Sequence, residues 1–85
     1  MNAIDFATQV IKLARFHGYK IQTNRLGLEQ IDFGNKKLHS DHLQRMFPLI
    51  SSGIEVNKAI DQVAPGRPCC HRPMRELVAE LSLDD

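Results

Sequence analysis

The chain has almost no net charge, only two cysteines, and no apolar run long enough to span a membrane. Eleven Lys/Arg against ten Asp/Glu leave +1. A dedicated DNA binder usually carries a clearly basic face, so composition gives little support to a polyanion partner. Cys69 and Cys70 are adjacent. A bond between neighbouring cysteines is strained, which excludes a disulfide scaffold, and reduced thiols in a cytoplasm are the simplest reading. The first residues hold an early acid, Asp5, and no basic segment, so they do not read as a secretory signal. Neither HExxH nor a phosphate-cradling glycine loop occurs, and there is no internal repeat. The expectation is a non-enzymatic, cytoplasmic protein with no membrane segment, no cofactor and no catalytic residues.

What is present suffices for one small domain over residues 1–85. Apolar residues make up 42% and charged residues 25%, which suits a folded globule with a small core. The expected fold class is mainly α, a compact bundle of about four short helices with one small β-hairpin near residues 19–33. Ile4, Ala7, Val10, Ile11 and Ala14 recur at helical spacing, predicting a helix over 3–17 that Gly18 ends, with Tyr19 packing back. Tyr19 to Thr23 alternates like a strand. Asn24-Arg25-Leu26-Gly27 reads as a turn, and Leu28 to Phe33 as the returning strand. The competing reading caps a short helix at Asn24 and stops it at Gly34-Asn35. The β-preferring Tyr19, Ile21, Ile31 and Phe33 favour the hairpin.

Further helices are expected after Ser40 as N-cap, over 55–64, and from Pro73 onward. Pro48 falls inside the first of these and is expected to kink or split it. Gly53 is expected to end it. Met74, Leu77, Val78 and Leu81 mark the buried face of the last helix.

Charge is uneven along the chain. Residues 1–48 carry seven Lys/Arg against four Asp/Glu, and residues 49–85 carry four against six. The stretch 64–75 holds three prolines, both cysteines, His71 and three arginines without an acid. Residues 76–85 follow with four acids and no base. Cations at a helix start and anions at its end both oppose the helix dipole, so each asks for an outside partner.

Five site readings follow from these patterns. Arg67, His71, Arg72 and Arg75 would meet phosphates or carboxylates at a helix start, where arginine's planar fork suits anions. The plainer reading is a solvated loop paired with Glu76, Glu80 or the Asp84-Asp85 tail. A divergent helix-turn-helix over residues 55–83 would place those arginines on DNA, though its eight-residue connection is long for the motif. His39-x-x-His42 and Cys69-Cys70-His71 have metal-ligand residue types. But zinc sites space their cysteines two to four residues apart, and no metal is expected. A thiolate at Cys70 beside His71 would need a third, orienting group that nothing in the sequence supplies. Finally, Leu43, Met46, Phe47, Leu49, Ile50 and Ile54 form a dense apolar run around Pro48. Such a run suits docking of another protein or a homodimer contact.

Two functional expectations result. The first is a small regulatory or adaptor protein that binds another protein through the 43–54 surface and the arginine-rich loop. The second is a DNA-binding transcriptional regulator. Charge geometry separates them: Lys12, Arg15, Lys20, Arg25, Lys36, Lys37 and Arg45 gathered with the loop arginines on one face would favour DNA, and their scatter would favour protein.

Overall fold

The computed structural model describes residues 1–34, 36–66 and 70–81. Helix α1 covers Ala3–Phe16. Asn2 caps it, its Oδ1 accepting from the Asp5 amide at 2.8 Å. Of the predicted stripe, Ala7, Val10, Ile11 and Ala14 are buried together with Phe6, whereas Ile4 is 65% exposed, because the buried face is centred one position away from it. The helix closes as expected. The Gly18 amide donates to the Arg15 carbonyl at 3.1 Å, and the Tyr19 amide to the Ala14 carbonyl at 2.9 Å. This bond pair satisfies two end carbonyls and turns the chain into the sheet. Tyr19 then meets Phe33 edge-on, with ring centroids 5.4 Å apart.

The ambiguous middle segment is a hairpin extended by a third strand. Strand β1 is Lys20–Thr23, β2 is Glu29–Asp32 and β3 is Lys37–His39, in antiparallel order β1-β2-β3. Ile21, Ile31 and Leu38 stand in register on the core face. Ile31 and Leu38 are fully buried there. Lys20, Asp32 and Lys37, and likewise Gln22, Gln30 and His39, form rows on the other face. The β1–β2 turn is built by Asn24, whose Oδ1 accepts from the Leu26 and Leu28 amides. Gly27 takes φ +82°, the left-handed residue that a three-residue hairpin loop requires.

Helix α2 is Ser40–Ser51, α3 is Val56–Val63 and α4 is His71–Ala79. Two expectations for α2 need correction. Its N-cap is His39, and Ser40 is the first helical residue. Pro48 does not split the helix, which runs unbroken to Ser51. Proline removes one bond to the Gln44 carbonyl, but only one turn follows it. That turn is locked by the Gly53 amide on the Ile50 carbonyl (3.0 Å) and the Ile54 amide on the Leu49 carbonyl (3.0 Å). Pro73 falls in the first turn of α4, as expected.

One core joins all the layers. Phe6, Val10 and Ala14 of α1 meet Ile31, Leu38, Leu43, Met46, Ala59, Ile60, Met74 and Leu77, with Cys70 filling a small apolar position. Among the described residues no helix is long and apolar enough to cross a membrane.

Candidate functional site

A groove opens where α1, the β1–β2 hairpin and the start of α2 meet. Its volume is about 400 Å³. The periodicity of α1 places it: the lining takes Ala7 and Ile11 from the edge of the buried stripe and Ile4, Thr8, Lys12 and Arg15 from beside it. The hairpin contributes Gly27, Leu28 and Glu29, and α2 contributes Ser40 and Gln44. The floor is thus aliphatic, while Thr8, Lys12, Ser40 and Gln44 put polar groups on the wall. Arg15 bridges to Glu29 at 2.6 Å and ties the helix to the second strand. Lys12 has no ion pair among the described residues. Of the lining residues, Ile4 is 65% exposed. An aliphatic trough with a single free ammonium on its rim suits an apolar side chain beside a carboxylate.

The residues expected from sequence to form a protein interface divide sharply. Leu43 and Met46 are core residues with no exposed surface. Phe47, Leu49, Ile50 and Ile54 are half-buried and pack on the edge of that core. Phe47 lies 5.4 Å from Phe6, ring centre to ring centre. The apolar run is therefore mostly inner surface, and the groove on α1 offers the more exposed aliphatic, Ile4.

The expected anion site is not assembled from the described residues. Arg67, with Cys69 and the Asp84-Asp85 tail, lies outside them. His71 turns to α3, its Nε2 2.8 Å from Asp61 Oδ1. Arg72 pairs with Glu76 one turn along its own helix at 3.5 Å. Arg75 is exposed. The expected helix-turn-helix segment, residues 55–83, falls on α3 and α4. Residues 64–70 separate α3 from α4, whereas the short glycine-containing turn of such a motif, residues 52–55, joins α2 to α3. Helix α3 then exposes Lys58 and Gln62 together with Asp61, and the exposed Glu55 sits at its cap.

No family model, curated protein or solved structure matches the chain.

The His39-x-x-His42 spacing has a structural purpose that its sequence did not disclose. The His42 amide donates to His39 Nδ1 at 3.3 Å, and the His39 amide donates to His42 Nδ1 at 3.4 Å. The rings stack with centroids 3.6 Å apart and planes 16° apart. This is a reciprocal capping box in which two imidazoles replace the usual hydroxyl and carboxylate. A neutral imidazole that accepts at Nδ1 carries its proton on Nε2. Burial pushes the His42 pKa below 6.5, helped by His39, Arg45 and Lys36 and opposed by Asp41. Cys70, beside His71, is fully buried.

Proposed function

We propose that this protein is a small non-enzymatic module that binds another protein, and that the groove between α1 and the hairpin is its docking site. The observation that carries this reading is a groove lined by the exposed Ile4 with Ala7, Ile11 and Leu28, and by Lys12, which has no ion pair among the described residues. The partner would present an apolar side chain next to an acidic one. Charge placement argues in the same direction. Arg15, Arg45 and Arg72 each meet an acid of this chain, and Lys36 donates to the Ala64 carbonyl at 2.7 Å. The remaining cations are spread over α1, the outer sheet face, the hairpin tip, α3 and α4. That scatter favours protein over DNA as the partner.

The test places a photo-crosslinking residue at Ile4 and, as a control, at Lys58 on α3, in the cells that make the protein. A discrete protein adduct from position 4, weakened by Lys12→Glu and missing from position 58, supports the reading. Equal labelling from both positions, or none from position 4, overturns it.

A further inference from the structure

We propose that His39 and His42 form a proton-sensitive latch that holds the first turn of α2 to the end of β3 and releases it on acidification. The proposal rests on the geometry of the cap and is independent of the groove reading. Both Nδ1 atoms accept from backbone amides, so each ring must keep that nitrogen unprotonated. A proton arriving at Nδ1 converts an acceptor into a donor that faces another donor. The amide it served then loses its partner.

Stacking adds a second reason. The ring centroids are 3.6 Å apart, so two imidazolium charges placed there would repel strongly. The charged neighbours work the same way on balance. Lys36 in the turn before β3 and Arg45 one turn up α2 disfavour a positive charge on His42, while Asp41 favours it. Across the sheet, His39 faces the neutral Gln30, itself bonded to Gln22, so β2 and β1 supply no counter-charge in that row. Every ordinary capping pair, a hydroxyl with a carboxylate or amide, would hold this turn without responding near neutral pH. A cap whose acceptors are ring nitrogens is open to protonation instead. Ser40, directly after the cap, also belongs to the groove wall, so release would reach that wall first.

The test is NMR on the full chain from about pH 8 to about pH 5, wild type beside H39S/H42E, which installs an ordinary capping box. In the wild type, ring nitrogen shifts should show both Nδ1 atoms unprotonated at the alkaline end. On acidification the His39 and His42 amide shifts should move with the ring titrations. Their protection from exchange, corrected for intrinsic rates, should fall roughly fivefold. The double variant should keep α2 and lose this response. A proton on either Nδ1 at the alkaline end overturns the proposal, as do amides that ignore the ring titration or an unchanged response in the variant. Should the double variant not fold, H39N decides. It keeps an acceptor for the His42 amide but no ring at position 39, so protection of that amide should no longer fall on acidification, and an unchanged fall overturns the latch.

Discussion

At the scale of single residues, position in the apolar run decides what a side chain does. Leu43 and Met46 have no exposed surface, whereas Phe47 and Ile50, from the same helix, are half-buried. Leu43→Ala should therefore cost about 2–5 kcal/mol of unfolding free energy, read from urea titrations. Ile4→Ala, at 65% exposure, should cost less than about 1 kcal/mol. Comparable losses at the two sites would contradict the burial. His42 gives a pH signature at the same scale. Its pKa in the fold lies below the ordinary 6.5, so the folded state favours the neutral ring. Its share of stability is present in full above 6.5 and declines as pH falls through that value, because the unfolded chain binds the proton first. The decline ends once pH is below the folded value. Urea midpoints at about pH 7.5 and about pH 5.5 should thus differ more in the wild type than in H42Q, which keeps an acceptor but does not titrate.

At the scale of elements, closure chemistry explains which parts of the fold the sequence disclosed. Helix α1 was legible because five apolar residues repeat at helical spacing and a glycine follows at the right place. The hairpin was legible from Asn24 and Gly27 between alternating runs. Strand β3 was not, because Lys37-Leu38-His39 shows one apolar residue and no period; pairing with β2 supplies what local pattern lacks. The cap of α2 was misread for a similar reason. Ser40 is a favoured capping residue, but the imidazoles of His39, one position earlier, and His42, two positions later, satisfy the amides together. The groove was hidden because its walls come from three elements separated in sequence. Two closures make measurable claims. Gly53 sits at φ +100° with open space around it, so Gly53→Ala meets backbone strain and no clash. It should lower stability by about 1–2 kcal/mol, with Gly53→Asn losing less, both read from urea titrations. Lys36 reaches from the turn before β3 to the Ala64 carbonyl that ends α3. Lys36→Met should cost about 1–2 kcal/mol and raise amide exchange in the last turn of α3 more than in α1.

At the scale of the whole molecule, the question is whether this surface can bind a polyanion at all. Phosphate binding draws on cations that act together, and each neutralised phosphate adds about −0.9 to the slope of log affinity against log salt. Here three arginines meet carboxylates of their own chain, at 2.6, 3.0 and 3.5 Å. All three pairs are exposed, so they contribute little to stability, but they reduce the field an approaching phosphate would feel. Lys12, Lys20, Arg25, Lys37, Lys58 and Arg75 remain without ion pairs among the described residues. They sit on five different parts of the fold. Of these, Lys20 and Lys37 flank Asp32 in one cross-strand row, which cancels part of their joint potential. A labelled mixed-sequence duplex should therefore bind no tighter than about 10⁻⁴ M at moderate salt. Lowering the salt should recover only weak binding with a shallow slope. Micromolar binding with a slope of about −5 or steeper would mean that five or more phosphates are met at once. If Arg72→Ala with Arg75→Ala then abolished it, the arginine-rich segment would be the contact and the function would move to DNA. If Lys20→Ala with Lys37→Ala abolished it instead, the outer face of the sheet would be the reader. A duplex that stays unbound leaves the aliphatic groove and its single ammonium as the surface to pursue, because that is where exposed apolar area and an unanswered charge coincide.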